Sequence, residues 1–197
     1  MNYLFFDVET SGLPRNYKAP MKDLDNWPRV ISLAFILVSE TGLPLMEKHS
    51  LIKPDGWVMP EADFWKENGF SQEKSMEEGI PISEVLSEFV LAVNQADVMI
   101  AHNMNFDYNV VGSELIRNNL RADKKPEKVC TMESTTQLLQ LPGKFGFKFP
   151  KLQELYSFLF NKEFGGAHDA LVDVRACADC FFELLNTGRI QLTTSNK

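Results

Sequence analysis

Hydrophobic positions recur along this chain with two periods, one of strands and one of helices. Tyr3–Val8 is apolar on both faces, rich in aromatics and closed by Thr10-Ser11-Gly12, which predicts a buried strand. Val30–Val38 predicts a second strand and Leu45–Ile52 a third. The turn signal Glu40-Thr41-Gly42 makes these two an antiparallel hairpin. Val98–Ala101 predicts a fourth, short and buried. Helical spacing predicts short helices at Pro60–Glu67 and Gln72–Glu78, and a clearer one through Val85, Leu86, Phe89, Val90 and Val93, introduced by Ser83. Asn103–Asn105 offers N-caps for a helix to about Asn119, with Val110, Val111, Leu115 and Ile116 on its apolar side. Thr131–Leu139 and Leu152–Phe160 are further helices. After Gly165-Gly166 a last helix runs from about Asp169 to Leu185, with the stripe Leu171, Val174, Ala178, Phe181, Phe182 and Leu185. Between these elements, Leu13–Arg29 carries three prolines and no periodicity and predicts a long surface loop. Arg121–Lys128 reads as a basic, solvated break, and Gly143–Pro150 as a loop. The order predicts one α/β domain over residues 1–197, with a mixed sheet flanked by helices.

Composition narrows the class. Of 197 residues 44% are hydrophobic, enough for a sizeable core. A net charge of −7 argues against a broad nucleic-acid-binding surface. It leaves room for a small site where bound cations reverse the local field. Three cysteines make no disulfide framework and fit a reducing cytosol. The N-terminus has no signal-peptide pattern. The longest apolar run, Leu33–Val38, is too short for a bilayer. A cytoplasmic protein without a membrane partner is the expectation.

Candidate chemistry gathers at three places. Asp7 and Glu9, two apart at the end of a strand, share a face. Asp107 falls in the first turn of the helix after His102-Asn103. His168 precedes the last helix, Asp169 is its natural N-cap, and Asp173 lies one turn in. At 100° per residue Asp173 stands roughly 120° from the centre of the apolar stripe, on a flank. Taken singly, each acid is as readily a strand terminator or a helix-dipole partner, and His102 reads as a hydrogen-bonded structural residue. Together, four carboxylates form an oxygen cage suited to Mg²⁺ or Mn²⁺ and to two-metal phosphodiester hydrolysis. A neutral histidine beside them can take a proton from water.

These segments resemble the motifs of the DEDDh exonucleases, a ribonuclease-H-like family that includes the proofreading epsilon subunit of bacterial DNA polymerase III. Phe6-Asp7-Val8-Glu9-Thr10-Ser11-Gly12 is similar to the first motif, His102-Asn103 through Phe106-Asp107 to the second, and His168 with Asp173 to the third. The resemblance implies a 3′→5′ exonuclease. In it Asp7, Glu9 and Asp173 hold one metal, Asp7 bridges to a second, Asp107 supports that second ion and His168 is the general base. It favours single-stranded DNA 3′ ends, with RNA ends as the alternative, and leaves a polymerase or other protein partner open. The chain stops soon after the last helix, without the long polymerase-binding extension of the epsilon subunit, which argues against dedicated proofreading. Candidate substrate contacts are Thr10, Leu13, Asn103 and Phe106, of which Leu13 and Phe106 can wedge or stack against terminal bases. Lys144, Lys148 and Lys151 alternate with Phe145, Phe147 and Phe149; this loop either stacks bases and touches phosphates or packs its rings on the core. Cys130, Cys177 and Cys180 read as small packed residues.

Overall fold

The computed structural model describes residues 1–61, 63–165 and 169–193. Its first three strands are β1 (Asn2–Thr10), β2 (Val30–Ser39) and β3 (Pro44–Lys53), followed by the short helices α1 (Asp63–Glu67) and α2 (Gln72–Glu78). The two-residue strand β4 (Ile80–Pro81) leads into α3 (Ile82–Gln95), then β5 (Val98–Ala101) and α4 (Met104–Arg117). After β6 (Glu127–Cys130) come α5 (Thr131–Leu139), the small strands β7 (Pro142–Gly143) and β8 (Gly146–Phe147), α6 (Leu152–Phe160) and α7 (Ala170–Asn186). The main sheet has the order β4-β3-β2-β1-β5-β6. β1 is antiparallel to β2 and parallel to β5, so the sheet is mixed and the fold is the expected α/β, ribonuclease-H-like one.

β1 is central and nearly all buried, because its two faces feed two cores. Leu4, Phe6 and Val8 join Leu33, Phe35, Leu86, Phe89 and Val110 under α3 and α4. Tyr3 and Phe5 join Ile36, Ile100, Leu155, Val174 and Phe181 under α6 and α7. The Phe181 ring lies 5.5 Å from both Tyr3 and Phe5, and burying such a ring stabilises the fold by about 1.5–3 kcal/mol. Among the described residues no helix is long and apolar enough to cross a membrane.

Four expectations need correction. The solvated break at Arg121–Lys128 runs into β6, which pairs with β5 from Val98↔Glu127 to Ala101↔Cys130. Only Val129 of this edge strand is buried, so it has no hydrophobic pattern. Ser83 does not cap α3: the cap position is Pro81, and no side chain fills it. Ile116 of α4 is 42% exposed and lies off the apolar face. The Gly143–Pro150 loop contains the β7–β8 hairpin.

The Leu13–Arg29 segment is long but firmly held. Trp27 is buried and donates to the Pro20 carbonyl; Asn26 and Asn16 exchange two hydrogen bonds. A Cβ on Gly112 would fall 2.1 Å from the Met21 sulfur, so the Met21 side chain occupies the space that the missing Cβ leaves against α4. Its anchor is Glu114, 1% exposed, whose Oε1 lies 2.7 Å from Arg29 Nε and 3.0 Å from Arg117 Nη1. Arg117 Nη2 in turn donates to the carbonyls of Leu24 and Trp27. Removing the central charge strands two guanidinium groups. Glu114→Gln should therefore lower unfolding free energy by about 3 kcal/mol in urea titration at neutral pH and open the 13–29 segment to protease. A change within experimental error would show that the segment is held by packing alone.

Candidate active site

Strand alternation carries Asp7 and Glu9 onto the same face of β1 as Tyr3 and Phe5, the face that α7 covers. α7 lays Phe181 and Phe182 on Tyr3 and Phe5. Asp173 stands about two turns earlier, ~12 Å along the helix axis, which brings it beside the C-terminal end of β1. Carboxylate oxygens of Asp7, Glu9 and Asp173 lie within 4.8 Å of one another. Asp173 is not on a flank, as the large apolar residues suggested. The buried face consists of Ala170, Val174, Ala176, Cys177, Cys180, Phe181 and Leu184, and Asp173 is roughly 30° from its centre at 100° per residue. Small side chains let the helix approach the sheet closely, while Leu171, Phe182 and Leu185 are only partly buried.

Asp107 reaches the cluster from the other side of the sheet. Pairing of β1 with β5 ends at Phe5↔Ile100, leaving the last part of β1 open on that edge. The chain leaves β5 and turns sharply at Asn103, whose backbone is left-handed (φ 92°, ψ 49°), a conformation asparagine tolerates. The Asn103 carbonyl accepts the Phe106 N–H at 2.8 Å and starts α4. Asp107 is then 2% exposed, and the Val8 N–H bonds its carboxylate.

Burial and mutual repulsion set the electrostatics. The Asp7 carboxyl is held well above its ordinary range by burial, and then by Asp107, Asp173 and Glu9. Glu9 is pushed up to about 7 by burial, Asp173 and Asp169. Burial raises Asp107 as well, although the Val8 N–H pulls it back. Without a cation such a cluster holds protons; with hard oxygen donors this close, its donor set fits Mg²⁺ or Mn²⁺.

His102 is structural, as expected. Its Nε2 lies 2.9 Å from the Pro150 carbonyl and must be the donor there, so Nδ1, 2.9 Å from Thr131 Oγ1, accepts. Burial lowers its pKa to about 4 and keeps the ring neutral. Asp169 caps α7, accepting from Leu171 and Val172. His168 and Gly166 lie outside the described residues. Cys177 and Cys180 are buried with raised thiol pKa values, the latter about 12, and Cys130 is half-buried at the cap of α5.

The substrate candidates divide. Leu13 is 75% exposed beside the first motif. Phe106 is half-buried and faces Tyr17 at 6.3 Å between ring centroids. Thr10 is buried and donates to the Gly12 carbonyl, closing the turn after β1, and Asn103 shapes the turn before α4. Lys148 pairs with Glu154, while Lys144 and Lys151 are exposed. Tyr17, which faces Phe106, was not among the residues the sequence singled out. Its carbonyl accepts from Asn105, and its only signal was an aromatic between Asn16 and Lys18 shortly after a carboxylate motif.

The chain belongs to the RNase T exonuclease family, whose family model matches residues 4–181. The fold is also that of Escherichia coli exonuclease I, solved in complex with a dT13 oligonucleotide. That structure is similar at a TM-score of 0.70 and 18% identity over 94% of this chain. Exonuclease I of Methylocaldum szegediense is similar at 0.69 and 19% identity, again over 94% of this chain. The present chain spans only 41% and 40% of those two chains. No curated protein matches it.

Raised carboxyl pKa values mean that the folded chain binds more protons than the unfolded one. In metal-free buffer, stability should then fall as pH rises through the range ending at about 7 for Glu9. His102 acts oppositely: the unfolded chain takes up its proton first, so stability falls as pH drops from its unfolded value toward about 4. Asp7 and Asp107 are raised as well, so the acids outweigh His102, and melting temperature in EDTA should decline from about pH 5 to about pH 7. Asp7→Asn should flatten that decline, and Mg²⁺ should raise the melting temperature more on the alkaline side. Thermal melts across this range test it; a steady rise to about pH 7 in EDTA would contradict the crowding.

Proposed function

We propose that the protein is a divalent-metal-dependent 3′→5′ exonuclease, residues 1–197 acting as one domain in the cytoplasm, that releases nucleoside monophosphates from single-stranded DNA ends. The observation that carries this reading is the convergence of Asp7, Glu9 and Asp173 within 4.8 Å, with buried Asp107 behind Asp7, in a chain of an exonuclease family. Asp7, Glu9 and Asp173 would hold one Mg²⁺ or Mn²⁺, and Asp7 with Asp107 the second. When bound, the ions neutralise charge on the scissile phosphate and ease deprotonation of water.

The chain's own groups do the rest. The carboxylates must be ionised, so Glu9, at about 7 without a cation, binds metal in competition with protons. His168, assigned by its place in the third motif, accepts at a neutral ring nitrogen the proton of the attacking water, whose oxygen bonds to phosphorus as the 3′ oxygen departs. Exposed Leu13 after the first motif, and half-buried Phe106 beside Tyr17, offer apolar surface on which the terminal base would rest. RNA ends are the second reading, separated by the 2′-hydroxyl.

Digestion of 3′-labelled DNA and RNA oligonucleotides in Mg²⁺, Mn²⁺ or EDTA tests the proposal. Labelled mononucleotide should appear first with either metal, faster from DNA, and not in EDTA or with Asp7→Ala. Cleavage surviving in EDTA would sink the metal mechanism. His168→Ala should lose about 10²–10⁴-fold in kcat at neutral pH, with the deficit shrinking as pH rises; equal rates would remove His168 from catalysis. An epsilon-like proofreading role predicts faster removal of a mismatched than of a paired 3′ nucleotide in the same assay.

A further inference from the structure

Three phenylalanines within five residues stand in water beside this site. β7 and β8 pair as Pro142↔Phe147 and Gly143↔Gly146, so Lys144 and Phe145 alone make the turn. Gly146 takes φ +110°, and a Cβ on Gly143 would come within 2.9 Å of the Lys148 nitrogen, so both positions need glycine for so tight a hairpin. Phe145 at the tip is 93% exposed, Phe147 45% and Phe149 59%. The rings do not pack on the core, and a cluster of exposed rings marks a contact surface.

Charge and continuity identify what covers them. Lys144 Nζ sits 5.3 Å from the Phe145 ring centroid, and exposed Lys151 closes the segment, while the chain as a whole is at −7. Rings and ammonium groups side by side match bases and phosphates side by side. The base of the hairpin is fastened to the catalytic edge: the Pro150 carbonyl accepts from His102 Nε2 at 2.9 Å, and His102 immediately precedes the turn that sets Asp107. Glu154 holds Lys148 and also accepts the Lys151 N–H, tying the arm to the start of α6.

We propose that residues 142–151 form a stacking arm for the single-stranded nucleic acid upstream of the scissile nucleotide. Phe145, Phe147 and Phe149 take base faces, and Lys144 and Lys151 take phosphates. The proposal rests on the exonuclease reading for its substrate. Stacking is tolerant of base identity, so the arm favours length and single-strandedness over sequence.

The test uses Phe145→Ala/Phe149→Ala, with Phe145→Trp as the conservative variant and circular dichroism to confirm folding. Anisotropy of a fluorescein-labelled oligothymidylate in EDTA reads binding without cutting. The double variant should bind at least about tenfold more weakly, and Phe145→Trp about as well as wild type. In Mg²⁺ the preference for a long oligonucleotide over a dinucleotide, as a ratio of kcat/KM, should fall by a similar factor. Lys144→Gln/Lys151→Gln should lower the log–log salt slope of binding by roughly 0.7 for each phosphate that a lysine had neutralised. If the double variant binds and digests like wild type, or if wild type binds no oligonucleotide, the arm does not hold the strand and the proposal fails. If wild type binds, the double variant does not and neither digests anything, the arm stands and the exonuclease reading falls.

Discussion

Asp7, Glu9 and Asp173 place carboxylate oxygens within 4.8 Å of one another, and at an effective dielectric constant of about 20 two charges so spaced repel by about 3 kcal/mol. A flexible chain would relieve that by moving. Here each acid stands on a backbone fixed by something else. Asp7 and Glu9 belong to a central strand with both faces buried. Asp173 follows from ring packing two turns further along α7. Asp107 follows from the Asn103 turn, behind which His102 ties Thr131 to Pro150. Repulsion is therefore stored, and protons or cations must settle it; the raised pKa of Glu9, set first by burial and then by Asp173 and Asp169, expresses desolvation and repulsion together as proton affinity.

The acids were legible in the sequence because strand alternation and motif spacing both act over a few residues. Asp7 and Glu9 had to share a face, and Asp107 had to fall in a first helical turn. The orientation of Asp173 was not legible, because apolar size is a poor guide to which helix face meets a sheet. Close approach is made by Ala170, Cys177 and Cys180, while Phe182 and Leu185 are only partly buried. β6 escaped for a related reason. An edge strand with Glu127 and Lys128 and a single buried valine owes its existence to hydrogen bonds with β5, which leave no trace in side-chain type.

The 13–29 segment shows the same limit at longer range. Its prolines and missing periodicity correctly mark irregular backbone. They do not reveal that Glu114, 85 residues beyond Arg29, gathers Arg29 and Arg117 on one carboxylate. Nor do they show that Gly112 is the space into which Met21 fits. These contacts fix the segment against α4. Through Ser11, which exchanges hydrogen bonds with Arg29, it also fixes the turn that follows Glu9. The stored repulsion and the buried Glu114 network thus meet within a few residues at the end of β1.

For an acidic chain, the proposed action on an acidic polymer carries a further constraint. At physiological ionic strength charges are screened beyond about 8 Å, so the overall −7 neither helps nor greatly hinders a strand that has already arrived. It argues against binding by a broad phosphate-contacting surface. Under the proposed function, attraction would be short-ranged and placed where the strand lies: cations among the carboxylates at the reacting end, and aromatic faces along the held part. Stacking releases no counterions. A protein relying on it keeps its hold as salt rises, where one that relies on many lysines loses it. In that reading, the exposed rings of the hairpin and the buried acids of the cluster would answer the same electrostatic problem from its two ends.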